Sequence, residues 1–338
     1  MTGIDFTVFR GSLTGKIVES KTHKESLKPD EVLLKITHAG LCGTDEHYKT
    51  SDMVLGHEGV GVVQQVGSQV TSFKLTNLNS GDRAGWGFLH NSCGHCDECL
   101  NANEFFCPDR STYGKANTDQ GAFATHAVWK AAFLFHIPDA VSSSDAAPLM
   151  CAGATVFNAM YLYNVRPADR VGIIGVGGLG HIAIQFAAKM GCEVVVFSGS
   201  DRKREEAKSL GAKEFYTRNV SKQDVGKPIK HLFVTTSHLP DWDPFLSILA
   251  PNATIYPITV SHGNFVMPYT PIISKGLRIQ GIFCASRGVH AKMLRFVAVH
   301  GIKPITQEFP LTAEGIEEAM AKLEKGEIRY RAVLVAGR

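Results

Sequence analysis

Residues 171–190, VGIIGVGGLGHIAIQFAAKM, place a glycine-rich turn between an apolar run and a helix-forming run. The turn is Gly175-Val176-Gly177-Gly178-Leu179-Gly180, which has the pattern G-x-G-x-x-G. The first glycine of this pattern allows a tight bend, the second lets backbone approach a pyrophosphate, and the third lets helix pack on strand. Free N–H groups at the start of the helix then face the phosphates. The stretch predicts a dinucleotide site; the alternative is a glycine-rich turn with no ligand.

The chain that follows this turn alternates apolar runs with helical patterns. A strand at 192–197 (CEVVVF) precedes a helix at 202–210 and a short strand at 213–216. Three further strands are predicted at HLFVTT, ATIYPI and LRIQGI, which are residues 231–236, 253–258 and 277–282. Strands that alternate with helices over short connections favour an α/β domain built on a doubly wound parallel sheet.

Small and basic residues follow the second strand of this series: Ser198, Gly199, Ser200, Asp201, Arg202 and Lys203. An NAD enzyme usually has a carboxylate at the end of that strand to accept the ribose hydroxyls. Here the place is held by Ser198 or Gly199. Hydroxyl groups beside Lys203 or Arg202 suit a 2′-phosphate instead, because they donate hydrogen bonds and neutralise charge. The pattern predicts NADP(H). Two alternatives stay open: Asp201 is a displaced ligand of the ribose, or the basic residues are only the solvated face of the next helix.

A cysteine-rich stretch lies upstream, in CGHCDECLNANEFFC at residues 93–107. The thiols of Cys93, Cys96, Cys99 and Cys107 have the spacing C-x2-C-x2-C-x7-C. Thiolate is a soft ligand, and four thiolates at short spacing close a tetrahedral Zn²⁺ site of the structural kind. The stretch predicts a structural zinc lobe; the alternatives are a disulfide cluster or scattered core cysteines.

Further zinc-binding residues lie on both sides of this lobe, with Cys42 in GLCGTDEH, His57 in GHEGVG and Cys151 in PLMCAGAT. Two thiolates and one imidazole leave the fourth position of zinc open to water or substrate, as in catalytic sites. An open zinc is a Lewis acid that favours an alkoxide near neutral pH or polarises a carbonyl for hydride attack. Glu58 directly follows His57, and we expect it to take the open position transiently. Taken singly, each residue is also compatible with a core position.

Polar residues close to these ligands indicate how a proton could move. Asp45 is the expected acceptor for the second ring nitrogen of His57, which would fix the imidazole tautomer. Thr44 offers a hydroxyl beside the substrate oxygen, and His47 offers an imidazole nearer solvent, so the two could pass a proton outward. The alternatives are a turn-capping role for Thr44 and a solvated surface position for His47.

Composition limits the class of protein. With 338 residues, of which 44% are hydrophobic, the chain is long enough for two globular domains. A net charge of +3 without a long basic block gives no reason to expect nucleic acid or an anionic membrane as a partner. The N-terminal sequence lacks a signal-peptide pattern and no apolar run is of membrane-spanning length, so we expect a soluble, cytoplasmic protein. The two remaining cysteines, Cys192 and Cys284, are predicted to be buried thiols.

Over almost its whole length the chain resembles the zinc-dependent medium-chain alcohol dehydrogenases. The matching motifs are GLCGTD, GHEGVG, the four-cysteine lobe, CAGAT, GVGGLGHIAIQFA, SGSDRKR and the C-terminal IRYRAVL. The similarity is greatest to the NADP-dependent branch that contains cinnamyl alcohol dehydrogenases and broad-specificity fungal alcohol dehydrogenases. The combination is specific for the family and less specific for the branch.

The resemblance implies two domains with the active site in the cleft between them. A GroES-like, β-rich catalytic domain takes residues 1–152 and 282–338 and carries the zinc lobe at 93–107. A Rossmann domain, residues 153–281, binds NADP(H). Two zinc ions per chain are implied, one catalytic and one structural. Dimers, and sometimes tetramers, are implied through the edge of the Rossmann sheet, where we place LRIQGI.

The resemblance also implies roles for single residues. Thr155, in CAGAT, lies by the nicotinamide. Thr44 bonds the substrate oxygen and relays its proton through the nicotinamide ribose towards His47. The positions that bind the 2′-phosphate in this branch are matched by Ser198, Ser200 and Lys203.

These features predict a zinc-dependent NADP(H) alcohol dehydrogenase or aldehyde reductase, acting on aromatic, allylic or medium-chain alcohols and aldehydes. One alternative is an NAD-dependent polyol or sugar dehydrogenase. Another is a reductase of an iminium or enal substrate in specialised metabolism. From a different class, a zinc-ribbon binding module on a nucleotide-binding scaffold would need no open zinc site.

Three stretches depart from the family pattern. The segment 47–55, HYKTSDMVL, is shorter than the loop with which relatives wall the substrate pocket, so a more open pocket is expected. The turn at 75–85 is longer than usual, and GIFCASRG at 281–288 replaces the usual G-S-F-x-G-S. Phe283 and Trp86 are the predicted apolar residues of the pocket, with core packing as the alternative.

Overall fold

A computed structural model describes residues 3–70, 78–217, 220–260 and 263–337. The chain divides into two compact units: the first runs up to Ala154 and resumes at Cys284, and the second is Thr155–Phe283. Each boundary lies two residues further along the chain than the sequence suggested. Of the long turn expected at 75–85, residues 75–77 lie outside the described residues.

The strands of the described residues, in chain order, are β1 (Ile4–Arg10), β2 (Val18–Lys24), β3 (Glu31–Leu41), β4 (Glu58–Val66), β5 (Arg83–Trp86), β6 (Leu89–Asn91), β7 (Ser111–Thr112), β8 (His126–Lys130), β9 (Phe135–His136), β10 (Arg170–Ile174), β11 (Glu193–Phe197), β12 (Glu214–Tyr216), β13 (Ile229–Val234), β14 (Leu249–Pro257), β15 (Arg278–Ile279), β16 (Thr306–Pro310) and β17 (Arg331–Val335).

The helices are α1 (Gly43–His47), α2 (Asp97–Leu100), α3 (Ser143–Pro148), α4 (Ala154–Leu162), α5 (Gly180–Lys189), α6 (Arg204–Ser209), α7 (Lys222–Val225), α8 (Trp242–Ile248), α9 (Tyr269–Lys275), α10 (Arg287–His300) and α11 (Ala313–Glu324). A π-helical turn, Leu149–Gly153, joins α3 to α4. None of the helices in the described ranges is both long and apolar enough to cross a membrane.

The first unit is built on a mostly antiparallel sheet. Its strand order is β16-β17-β3-β4-β5-β9, with β8 also paired to β3. The C-terminal strand β17 therefore lies beside β3, which brings the end of the chain next to the N-terminal strands. Large apolar side chains such as Leu34, Trp86 and Phe123 fill the core on which this sheet packs.

The second unit contains a six-stranded sheet in the order β12-β11-β10-β13-β14-β15. All of its neighbouring strands are parallel, and this order is that of a Rossmann sheet. The central strand β10 is buried along its whole length, as expected where helices cover both faces. The prediction of a doubly wound α/β domain is confirmed. The last predicted strand is present at the edge, but it is only two residues long, Arg278–Ile279.

The core of the first unit is sensitive to a single methyl group. Gly59 of β4 is opposite Trp86 of β5, and a Cβ at Gly59 would lie 2.2 Å from Trp86 Cζ2. We expect Gly59→Ala to lower the free energy of unfolding by about 1–3 kcal/mol, because the fully buried Trp86 ring has no space into which to move. Urea denaturation measures the change.

The matched control is Gly288→Ala in helix α10. Nothing lies within 4 Å of a Cβ at that position, and alanine favours a helix more than glycine by up to about 1 kcal/mol. The control is therefore expected to keep or slightly raise stability. Equal stability of the Gly59 variant and the wild type would contradict the packing described for Trp86.

Candidate functional site

Four thiols meet in the lobe between β6 and β7. The Sγ atoms of Cys93, Cys96, Cys99 and Cys107 lie within 4.8 Å of one another, and those of Cys93 and Cys99 are 3.9 Å apart. A tetrahedron with Zn–S bonds of about 2.3 Å has edges of about 3.8 Å, so this spacing suits one zinc ion. Gly94 N–H donates to Cys99 Sγ at 3.4 Å, and Cys96 N–H donates to Cys93 Sγ at 3.3 Å. Such donors stabilise the thiolate form that binds metal.

A second group brings together four side chains from three distant segments: Cys42, His57, Glu58 and Cys151. Their ligand atoms also lie within 4.8 Å of one another. Cys42 caps the start of α1, His57 and Glu58 stand at the start of β4, and Cys151 lies in the π-helical turn. A hydrogen bond from Cys151, with help from the nearby His57 charge, holds the pKa of the Cys42 thiol well below its usual range. The thiol of Cys42 thus favours the thiolate form, as a zinc ligand requires.

His57 is held in one orientation by its surroundings. Its ring is fully buried, and Nδ1 lies 2.9 Å from Asp45 Oδ1, while Asp45 Oδ2 accepts from the Cys42 N–H at 2.9 Å. Burial alone lowers the pKa of His57, but the Asp45 carboxylate outweighs it and raises that pKa well above the usual value. Nε2 has no hydrogen-bond partner among the residues that the structure describes. A buried imidazole nitrogen of this kind fits a metal ion.

Tyr113 completes the support of this histidine. Its hydroxyl accepts the Gly56 N–H at 3.0 Å and hydrogen-bonds to Asp45, and its ring centroid is 4.8 Å from that of His57. Burial, first of all, raises the pKa of the Tyr113 hydroxyl well above its usual value, so the group stays protonated and can donate to the Asp45 carboxylate. Sequence analysis did not single out Tyr113, because one tyrosine in a turn carries no spacing signal.

The carboxylate of Glu58 is held by a buried arginine. Arg331 Nη2 lies 2.6 Å from Glu58 Oε1 and 2.5 Å from Oε2. Burial raises the pKa of Glu58 to about 7, although Arg331 lowers it in part. Gly40 lies between them on β3, opposite Glu58 and Val333, and a Cβ there would lie 2.0 Å from Glu58 Oε2. Glycine at this position is what allows the carboxylate to cross the strand.

In the second unit, a cavity of about 970 Å³ opens where β10, β11 and β13 end. Gly175, Gly177 and Gly178 line it, whereas Leu179 and Gly180 begin helix α5 behind them. Gly175 has a φ of 94°, and a Cβ on Gly180 would lie 2.0 Å from the Gly175 carbonyl oxygen. Nothing lies within 4 Å of a Cβ on Gly177, which leaves the approach to that backbone open, as a pyrophosphate needs.

The residues that follow β11 lie along the same cavity: Ser198, Gly199, Ser200, Arg202 and Lys203. Lys203 Nζ donates to the Val176 carbonyl oxygen at 2.6 Å, so its ammonium group stands at the glycine-rich turn. Asp201 accepts from Arg204 Nε at 2.7 Å and is not among the described residues that line the cavity. Thr155 is buried at the start of α4.

The chain is similar to known proteins in both sequence and fold. The family model for the alcohol dehydrogenase GroES-like domain matches residues 28–139, and the model for zinc-binding dehydrogenases matches residues 178–299. A probable formaldehyde dehydrogenase from Bacillus subtilis is 35% identical, with 94% of each chain covered. The chain belongs to the zinc-dependent medium-chain alcohol dehydrogenase family. The predicted family is therefore confirmed.

Two other proteins similar to this chain are cinnamyl alcohol dehydrogenases. The Arabidopsis thaliana enzyme, cinnamyl alcohol dehydrogenase 8, is 33% identical, covering 93% of this chain and 90% of that one. A solved structure of cinnamyl alcohol dehydrogenase from Sorghum bicolor is similar with a TM-score of 0.88 at 28% identity, covering 98% of both chains. The predicted fold, a GroES-like domain with a Rossmann domain, is confirmed.

The proposed proton-relay residues of this alcohol dehydrogenase lie on helix α1. Thr44 is half-buried, with Oγ1 3.7 Å from Cys42 Sγ. His47 ends the helix and is exposed. The Thr44 hydroxyl thus lies beside the ligand group and the His47 imidazole lies at the surface, as a relay that carries protons outward requires. The roles of both residues remain predictions.

Two expectations for neighbouring residues were wrong. Trp86 does not line a pocket, since it is fully buried and packs on Trp129 with ring centroids 5.1 Å apart. Cys284 is half-buried rather than buried, and it hydrogen-bonds to Cys151.

The sequence analysis missed Phe88, whose half-buried ring meets the ring of His57 edge-on with the centroids 5.6 Å apart. As one of 19 phenylalanines outside any motif, it gave no signal in the sequence. Phe283 is 42% exposed, and its pocket role stays a prediction.

The buried ion pair gives a stability prediction. We expect Arg331→Met to lower the free energy of unfolding by about 3–5 kcal/mol, because the Glu58 carboxylate is left buried without its counter-charge. The double variant Glu58→Gln/Arg331→Met should recover much of the loss, since neither charge then remains. Urea denaturation at saturating zinc, arranged as a double-mutant cycle, measures the coupling.

Arg329→Met is the matched control, because Arg329 is exposed and only two residues away. Its effect should stay within about 0.5 kcal/mol. A loss of similar size in the control and in Arg331→Met would argue against a specific role for the buried pair.

Proposed function

We propose that this protein is a zinc-dependent alcohol dehydrogenase that transfers a hydride between NADP(H) and an alcohol or aldehyde. The observation that carries the proposal is the convergence of Cys42, His57 and Cys151, with His57 Nε2 left as the donor. Three such ligands suit a zinc ion with one position open for substrate. A structural or binding module would need only the closed four-thiol lobe.

Two zinc ions per chain are part of the proposal, one for each group of ligand atoms. When bound at the open group, zinc supplies a Lewis acid to the substrate oxygen. Asp45 keeps the proton on His57 Nδ1 and so keeps Nε2 available. Glu58 lies in the same group, but Arg331 bonds both of its oxygens. Glu58 would therefore act as a ligand only when it turns away from Arg331.

The proton would travel along helix α1. Thr44 Oγ1 orients the substrate hydroxyl and exchanges a proton with it, since a hydroxyl both donates and accepts. The exposed imidazole of His47 would then exchange a proton with solvent. Thr44 and His47 would stand at the two ends of this path, and the cofactor, when bound, would supply hydroxyl groups between them. NADP(H), when bound, would supply or accept the hydride, and Thr155 would lie beside its nicotinamide ring.

For the cofactor we propose NADP(H). Ser198 and Ser200 lie along the cavity where the 2′-phosphate would bind, and Arg202 and Lys203 supply positive charge. No carboxylate ends strand β11, which runs from Glu193 to Phe197 and continues into Ser198. An NAD-dependent polyol or sugar dehydrogenase would need such a carboxylate to bind the ribose hydroxyls.

We propose aromatic, allylic or medium-chain aldehydes and alcohols as substrates. The relatives named for cinnamyl alcohol support this class. The ring of Phe88, edge-on to His57, adds an apolar surface close to the ligand group that suits an aromatic or aliphatic chain. Since cells keep NADPH largely reduced, we propose aldehyde reduction as the working direction.

A homodimer joined through the edge of the Rossmann sheet is also proposed. The edge strand β15 is exposed on both of its residues, and Ile279 is 43% exposed. An exposed apolar edge strand offers unpaired backbone groups to a second copy. We propose a cytoplasmic location, because six cysteines assigned to metal sites need a reducing compartment to stay thiolates.

The decisive assay follows the absorbance of NADPH and NADH with cinnamaldehyde, benzaldehyde and hexanal, beside the zinc content per chain. We expect turnover with NADPH and about two zinc ions per chain. Lys203→Ala should raise the KM for NADPH about tenfold or more, because a charge-assisted bond to the 2′-phosphate is lost, and should leave the KM for NADH unchanged.

Lys208→Ala is the matched control, since Lys208 is an exposed lysine that pairs with Glu205 on the next helix. It should keep both KM values. Turnover with NADH alone would refute the 2′-phosphate assignment. One zinc ion per chain with no turnover for any aldehyde would favour a structural or binding role.

Removing single ligands should separate the two zinc groups. We expect Cys42→Ser to abolish turnover and remove one zinc ion while NADPH binding persists. Cys99→Ser should instead lower thermal stability, because a closed thiolate site contributes folding free energy. Zinc analysis, NADPH fluorescence titration and thermal denaturation report the three properties. Loss of nucleotide binding to the same degree in both variants would contradict this division of roles.

A further inference from the structure

Cys284 lies in the first unit, just before helix α10, and its side chain hydrogen-bonds to that of Cys151. The contact is held by packed elements on both sides. Helix α10 packs against the π-helical turn that carries Cys151. Met150 of the turn and His290 of the helix flank the same residue, Gly87. A Cβ added at Gly87 would lie 2.4 Å from the Met150 carbonyl oxygen and 3.8 Å from His290 Cε1.

The backbone of Cys284 has an unusual conformation that fixes its side chain. Its φ is 47°, in the left-handed region that residues other than glycine rarely adopt. Residues in this region persist where the surrounding structure holds them. Ala285 and Ser286, which follow, are buried, and Cys284 itself packs against the core cluster of this unit. The thiol is thus presented to Cys151 by a fixed piece of backbone.

The two thiols differ in their relation to the metal group. The sulfur of Cys151 belongs to the group of ligand atoms that lie within 4.8 Å of one another. Among the described residues, that group does not include Cys284. Cys284 is half-buried, so part of it is open to a molecule as small as a peroxide, whereas the remaining cysteine, Cys192, is buried. A thiol outside the zinc ligands therefore touches a thiol within them.

We propose that Cys151 and Cys284 form an oxidisable pair whose disulfide releases the zinc of the Cys42–His57–Cys151 group. This inference rests on the proposed function, since it takes Cys151 to be a zinc ligand. The oxidant is a peroxide, of which hydrogen peroxide is the simplest. The pair makes the enzyme reversibly sensitive to oxidation, because a thiol reductant restores both thiols and the site can bind zinc again.

The chemistry balances in two steps. The Cys284 thiolate attacks one oxygen of hydrogen peroxide, the O–O bond breaks, and a sulfenic acid and one water molecule form. The Cys151 thiolate then attacks the Cys284 sulfur: its bond to zinc breaks, the S–S bond forms, and the departing hydroxide takes up a proton from solvent to become the second water. The two sulfurs lose two electrons in all, which reduce one hydrogen peroxide to two water molecules. Since a disulfide sulfur is no longer a thiolate, zinc keeps only Cys42 and His57 from the original three ligands.

Cys42 is the competing partner, because it too hydrogen-bonds to Cys151. In the zinc-loaded protein both of these sulfurs are bound to one metal ion, and their lone pairs are engaged. The sulfur of Cys284 is outside that shell, which makes it the first site of oxidation. The identity of the disulfide therefore distinguishes the proposed pair from simple damage to the ligands.

The test uses the full-length, zinc-loaded protein, whose zinc is counted before oxidation. After a small excess of hydrogen peroxide, a chromophoric chelator follows released zinc, and mass spectrometry maps disulfides in a digest made without reductant. We expect release of one zinc per chain together with a peptide that links Cys151 to Cys284. Dithiothreitol with added zinc should reverse both changes.

Two variants sharpen the test. Cys284→Ser should slow zinc release about tenfold or more relative to the wild type, because its hydroxyl forms no disulfide. Cys192→Ser, the matched control for removal of one thiol, should release zinc at the wild-type rate. The rate of zinc release from each variant is divided by the zinc content of that variant before oxidation. A variant that binds less zinc at the start is therefore not mistaken for one that releases zinc more slowly.

Three results are decisive. A wild-type disulfide between Cys42 and Cys151, or unchanged release in Cys284→Ser, would overturn the proposed pair. Zinc bound only in the four-thiol lobe before oxidation would speak against the proposed function instead. In that case the linked peptide still decides whether Cys151 and Cys284 react with each other.

Discussion

The buried ion pair between Glu58 and Arg331 joins residues that are 273 positions apart and spans the strand between them. It exists only because Gly40 leaves the surface of β3 open at that point. Burying two charges is costly unless each meets the other with good geometry, so the pair fixes how β17 must align with β3 and β4. Since His57 precedes Glu58, the same alignment sets where the imidazole stands and, with it, where the metal ligands converge.

Around this pair, the candidate ligand group is supported by neighbouring residues that are not ligands themselves. Asp45 and Tyr113 orient His57, and the π-helical turn presents Cys151. The supports come from a helix, a loop and a turn, so they form only when the whole unit is folded. Candidate ligands supported in this way are held in fixed positions, as a catalytic metal site requires. The contact between Cys151 and Cys284 is a product of the same convergence, and it ties the metal site to the redox state of its surroundings.

The nucleotide site follows a different logic, because it is local. Gly175, Gly177 and Gly180 lie within one turn between a strand and a helix, and each has a steric reason that can be stated from the sequence. The residues that follow β11 stand at the end of the strand beside β10. Because β10 and β11 are parallel, these residues lie at the same edge of the sheet as the glycine-rich turn. For that reason the predicted cofactor residues that line the cavity are Gly175, Gly177, Gly178, Ser198, Gly199, Ser200 and Lys203.

The sequence by itself determined the α/β class, the glycine-rich turn, both groups of candidate metal ligands and the Asp45 partner of His57, because these depend on spacing or on residue type. Only the tertiary structure decided that Arg331 holds Glu58, that Tyr113 supports Asp45, that Trp86 belongs to the core and that Cys284 reaches Cys151. These contacts join segments far apart in the chain. No local periodicity encodes them, since their distances depend on strand order and on how the side chains pack.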